Sequence, residues 1–94
     1  MDCYYVYILS DVRGRALQVG VTDNLSGYLR EQRARGSADL RQAHAANRLV
    51  YYEFTEDPDA ALSRERQIRG WRRERKETLI NAMNPQWDDL TEVW

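Results

Sequence analysis

Cys3 to Leu9 reads Cys-Tyr-Tyr-Val-Tyr-Ile-Leu, an aromatic and β-branched run in which no polar residue alternates with the apolar ones. A strand with one face in water shows period-two alternation, so this run predicts a strand covered on both faces, the first and central one of a sheet. Ser10-Asp11-Val12-Arg13-Gly14-Arg15 supplies turn residues. Leu17, Val19 and Val21 then alternate with Gln18, Gly20 and Thr22, which predicts the second strand of a hairpin. Leu49 to Phe54 predicts a third strand.

Helical signals separate and follow the strands. Asp23 or Asn24 can cap a helix that places Leu25, Tyr28, Leu29 and Gln32 on one stripe, with Arg30, Arg33 and Arg35 facing elsewhere. Two readings fit Gly36 to Asn47: a short helix capped by Ser37 and running from Asp39 to Ala46, or an ordered loop. Asp57-Pro58 opens a second long helix, since proline fits the first turn and acids favour the helix N-terminus. Its inward stripe is Ala61, Leu62, Ile68 and Trp71. Gly70 marks a bend or an end before a last helix in which Lys76, Leu79, Ile80 and Met83 share a face. Asn84-Pro85-Gln86-Trp87 stops that helix and offers Trp87 as an anchor. Ninety-four residues, 43% of them hydrophobic, suffice for one domain spanning 1–94 and are too few for two.

Cysteine usage and charge narrow the function classes. A lone Cys3 excludes an internal disulfide, and with the single His44 it cannot build a sulfur and imidazole zinc site. A reducing, cytoplasmic setting is expected. No export signal or membrane span is expected either, because no apolar run is long enough and Met1-Asp2 lacks a basic lead. The net charge of −1 conceals blocks. Residues 64–76 hold six Arg and Lys76 against Glu65 and Glu74, between two segments rich in acids.

Glu65 stands out on spacing alone. It lies three positions from both Leu62 and Ile68, in the middle of an apolar stripe. One reading pairs it with Arg69 at i+4. The other makes it a ligand for a hard divalent cation, because Mg²⁺ is held through carboxylates and water. The basic run also reads two ways. Arg66, Arg69, Arg73 and Lys76 form one stripe if the helix passes Gly70 unbroken, and that stripe could follow a nucleic-acid backbone. Otherwise it is a solvated face paired with the flanking acids.

Tyr5-Val6-Tyr7-Ile8-Leu9, the Val19-Gly20-Val21-Thr22 step and Leu25 resemble the front half of a small GIY-YIG superfamily protein. Arg48 to Glu53, Arg64 to Ile68, Trp71-Arg72-Arg73, Lys76, Leu79-Ile80 and Met83 to Leu90 look like its back half. The resemblance implies an α/β (α+β) domain, a three-stranded antiparallel sheet flanked by helices. It also implies a phosphodiester hydrolase ancestry with Mg²⁺ or Mn²⁺ as cofactor and DNA or RNA as partner. Carried over, the water-activating tyrosine is Tyr7 and the metal-binding glutamate is Glu65. Gln18 replaces the second-motif tyrosine, Tyr28 the phosphate-binding arginine and Gln32 the histidine. An amide is no base, and a phenol lacks the permanent charge of guanidinium. Arg30 is no substitute, lying about 200° around the helix from Tyr28. The resemblance therefore implies an eroded nuclease centre with nucleic-acid binding as the residual activity. The alternatives are an active nuclease with a rearranged site, and a protein-interaction module suggested by the pI of about 5.8 and by Trp87 and Trp94. Tyr7 has an ordinary reading as core, and Gly20 one as close packing in a strand.

Overall fold

The computed structural model describes residues 3–11, 14, 16–38 and 48–90, and the side chains of these except 32–38. The elements are β1 (Tyr4–Ser10), β2 (Leu17–Thr22), α1 (Leu25–Ala38), β3 (Arg48–Thr55), α2 (Pro58–Arg69) and α3 (Arg73–Met83). The sheet has the order β2-β1-β3, with β1 antiparallel to both neighbours. The unalternating apolar run is therefore the central strand, as its composition predicts.

Burial explains why β1 has no polar side. Val6 and Ile8 join Ala61 and Ile68 of α2 and Ile80 of α3 in one core cluster, while Tyr7 and Leu9 join Leu25 and Leu29 of α1 in a second. Each face of the strand has its own helical cover. Helix starts follow local chemistry: Asn24 Oδ1 accepts from the Gly27 N–H, and Asp57 Oδ1 accepts from the Asp59 N–H ahead of a first turn containing Pro58. Such caps contribute about 1 kcal/mol each.

β3 carries a bulge. Ile8 pairs with Tyr51 but Leu9 pairs with Leu49, so Val50 is extra and lies in the same core cluster as Tyr51. β3 is also an edge strand, and the segment after α3 covers it here. Buried Asn84 donates from Nδ2 to the Val50 carbonyl (3.2 Å) and to the Asp88 carbonyl (2.8 Å), and its Oδ1 accepts from the Asp88 N–H (3.0 Å). Asp89 accepts from the Leu49 N–H. Trp87, at φ 55°, packs on the first cluster and Leu90 on the second, so the tail wraps the edge from one face to the other.

Two expectations are corrected, and two readings that the sequence leaves open are narrowed. Leu62 is exposed rather than inward, because the buried positions of α2 are Ala61, Glu65 and Ile68. Met83 is exposed because Asn84, four residues after Ile80, takes the inward position at the helix end. Ser37 lies inside α1 instead of capping a new helix, while 39–47 lie outside the described residues. The helix does not pass Gly70: α2 ends at Arg69 and α3 begins at Arg73, so Arg66 to Lys76 is not one continuous stripe. The Gly70 N–H instead closes the helix onto the Arg66 carbonyl.

Candidate functional site

Tyr7 is placed by the register of the hairpin. It pairs across the sheet with Gly20 of β2 and Tyr52 of β3. Its ring lies over Gly20: a Cβ there would stand 2.3 Å from the phenolic oxygen and 2.5 Å from Cζ. Glycine at 20 is thus what lets the ring cross the strand. On the other side the Tyr28 ring sits 5.2 Å away at 39°. The Tyr7 side chain is enclosed, with 4% of the residue exposed.

That enclosure decides the chemistry of the phenol. Burial is the main influence raising its pKa, followed by the Tyr28 hydrogen bond and charge and then by the negative charge of Glu65. All four influences act in the same direction, so Tyr7 keeps its proton far above neutral pH. The contribution to stability is fully present below about pH 10, the value of an unfolded phenol, and is lost as pH rises through the folded value. Ultraviolet titration of tyrosinate should therefore find Tyr7 unionised at pH 11 in the folded protein, with its signal appearing only on unfolding. A Tyr7→Phe variant that removes a transition near pH 10 would contradict this.

Glu65 is equally enclosed, with 3% exposed, although it sits on a helix otherwise rich in exposed charge. Its Oε1 accepts from a guanidinium nitrogen of Arg69, whose side chain is 66% exposed. The i+4 pairing is the one that the spacing allows. Its negative charge acts on Tyr7 from a distance, as the least of the influences on that phenol.

The three departing positions differ in fate. Tyr28 packs on Tyr7, half-buried against the second cluster. Gln18, opposite Leu9, is exposed on the face that carries Tyr7 and Gly20. The side chain of Gln32 lies outside the described residues. Arg30 is exposed, in keeping with its position around the helix.

The donor set can be tested against the Mg²⁺ or Mn²⁺ expectation. Both cations want several hard oxygen ligands with open coordination positions. Glu65 is one buried carboxylate already neutralised by Arg69, and among the described residues no group of three His, Cys, Asp or Glu side chains gathers around any point. The arrangement does not fit a bound divalent cation unless Arg69 leaves.

Two surface clefts, about 280 and 350 Å³, lie elsewhere. One runs between the end of β3 and α2, and the other beside Tyr4, Val21 and Leu62; neither is lined by Tyr7 or Glu65.

The basic run is largely engaged internally. Arg64 bonds Glu53 at 2.7 Å and lies over the Trp71 ring, and Arg75 covers the same ring at 4.1 Å. Tyr51 also donates to Glu53, and burial and this bond push its phenol up to about 12. Arg73 bonds Glu77 and the Gly14 carbonyl, tying α3 to the hairpin turn, where Gly14 has φ 69°. Arg66 and Arg72 are exposed and carry no ion pair among the described residues, and Lys76 is half-buried. Spacing along one helix cannot reveal the cluster of Tyr51, Glu53, Arg64 and Trp71, because it joins a strand to a helix and to the connection that follows that helix.

Comparison with known proteins agrees with this fold. A family model described as the GIY-YIG catalytic domain matches residues 3–78. The chain is 33% identical over 78 residues to the UPF0213 protein HQ_3675A of Haloquadratum walsbyi, covering 83% of this chain and 86% of that protein. The solution NMR structure of the UPF0213 protein BH0048 from Bacillus halodurans is 21% identical and has the same fold. Its TM-score is 0.60, over 96% of this chain and 95% of the other.

Proposed function

Since the chain belongs to the GIY-YIG family, we propose that it is a nucleic-acid-binding domain in which phosphodiester hydrolysis is weak or lost. The observation that carries this reading is the closure of the two retained catalytic positions: Tyr7 lies under Tyr28 and across Gly20, and Glu65 is held by Arg69. A proton acceptor that keeps its own proton cannot activate water. A divalent cation reaching Glu65 must first displace a guanidinium.

Binding is assigned to the junction of α2 and α3, where Arg66 and Arg72 project and Arg69 is mostly exposed. The wider chain is close to neutral, so attraction to phosphate depends on this local concentration of charge, within the roughly 8–10 Å reach of exposed charges in salt. Phosphate contact of this kind serves DNA or RNA alike.

Fluorescence anisotropy with labelled single- and double-stranded oligonucleotides at low salt is the direct test. Binding is expected to weaken steeply as salt rises, and the double reversal Arg66→Glu/Arg72→Glu should reduce affinity at least tenfold. Absence of binding to every oligonucleotide at low salt would refute the reading and favour a protein-interaction role.

A further inference from the structure

We infer that Glu65 acts in this chain as the buried anchor of a phosphate-binding arginine, Arg69, in the place of a metal ligand. The inference rests on the nucleic-acid reading above and assigns its central contact. Four features of the pair lead to it.

First, the two partners differ in exposure. The Glu65 side chain is 4% exposed and that of Arg69 66%, so the guanidinium lies between the carboxylate and solvent. Second, the bond uses a small part of the guanidinium. Arginine carries five N–H donors in a rigid fork, and the bond to Glu65 engages one nitrogen, Nη2, of a side chain that is mostly exposed. Third, a buried carboxylate is costly without a partner, so Glu65 holds the arginine in one position continuously. A positioned guanidinium loses less entropy on meeting phosphate than a free one. Fourth, the location is right. Arg69 is the last residue of α2, with Arg66 one turn before it and Arg72 just beyond Gly70.

The family's phosphate-facing arginine position is filled by Tyr28, which packs on Tyr7. Arg69 supplies an exposed guanidinium from another helix, α2. Glu65 is a positioning residue on this account, and Arg69 is the group that touches the phosphate.

The test exploits a sign. Removing an acid from a nucleic-acid-binding surface ordinarily strengthens attraction to a polyanion, whereas removing an anchor weakens it. Oligonucleotide affinity is measured over a salt series for the wild type, Glu65→Gln, Arg69→Met, Arg69→Lys and the Glu65→Gln/Arg69→Met pair, in EDTA and again in Mg²⁺. Glu65→Gln is expected to weaken binding about threefold to tenfold despite losing a negative charge. Arg69→Met should weaken it about tenfold and reduce the slope of log K against log salt by roughly 0.9, the value for one phosphate contact on duplex DNA. The double variant should bind no worse than Arg69→Met, and Arg69→Lys should retain most of the salt slope.

These results should be the same in EDTA and in Mg²⁺. Glu65→Gln binding as tightly as the wild type or tighter overturns the inference. So does an unchanged slope in Arg69→Met, or a Glu65→Gln defect seen only with Mg²⁺. If Glu65→Gln does not fold, the comparison of Arg69→Met with Arg69→Lys decides. Wild-type protein that binds no oligonucleotide overturns this inference together with the reading beneath it, whereas normal binding with unaffected variants overturns this inference alone.

Discussion

Replacement of Gly20 by alanine is expected to lower stability by about 3 kcal/mol, which for a domain of this size corresponds to a fall of roughly 12–24 °C in the unfolding midpoint. The added methyl would stand 2.3 Å from the Tyr7 oxygen, 2.5 Å from Cζ and 3.0 Å from Cε2. The ring cannot retreat easily, because Tyr28 faces it and Leu9, Leu25, Leu29 and Leu49 fill the same cluster. Tyr7→Phe should rescue little, since the ring carbons still collide. Tyr7→Leu should rescue most of the loss by removing the far end of the ring. Thermal and urea unfolding of the Gly20→Ala/Tyr7→Leu cycle measure the coupling. A neutral Gly20→Ala would mean that Tyr7 has room to swing away, and with it that the site opens.

The second large effect is expected at Asn84. Asn84→Leu keeps the volume but deprives the Val50 carbonyl and both backbone groups of Asp88 of their partner. A buried group left unsatisfied costs about 1–3 kcal/mol, and the Val50 carbonyl is the buried one while Asp88 is exposed, so a loss of up to about 3 kcal/mol is expected for the set. Release of the tail should also speed hydrogen exchange at the Leu49 amide, whose acceptor is Asp89. Faster exchange at Leu49 with little global destabilisation would place the damage at the edge of β3 alone. Unchanged stability and exchange would show that the tail does not secure the bulge.

Much of the fold is legible in the sequence because it rests on local signals. The unalternating run of β1, the alternation of β2 and the Asp57-Pro58 helix start each state their structure in the residues themselves. Glu65 is legible too: its place amid an apolar stripe and its i+4 neighbour Arg69 both follow from helical spacing. The exposed Leu62 and Met83 do not, because periodicity says which residues share a face and not which of them the neighbouring element reaches. Gly70 offers both a bend and an end, and the capping bond to Arg66 makes it an end.

The site is legible in its membership and not in its closure. Gly20 as a recess for the Tyr7 ring depends on cross-strand register, and Tyr28 as its lid depends on the angle at which α1 crosses the sheet. Neither quantity is written along the chain. The basic run misleads for a related reason. Arg64, Arg73 and Arg75 find partners on other elements, Glu53, Gly14 and Trp71, so a charge block that resembles a binding stripe is in good part internal bracing. The Asn84-Pro85-Gln86-Trp87 segment marks the family resemblance strongly, and the structure gives it a mechanical role at the bulge of β3.

On the proposed function, the retained tyrosine and glutamate are closed to catalysis. The most direct measurement incubates purified protein, in molar excess over labelled DNA and RNA oligonucleotides, with Mg²⁺ or Mn²⁺ and resolves the products on denaturing gels beside Glu65→Ala. No product from the wild type above the Glu65→Ala background is expected with either metal. Metal-dependent cleavage by the wild type that disappears in Glu65→Ala would contradict it and establish a working nuclease with a rearranged site.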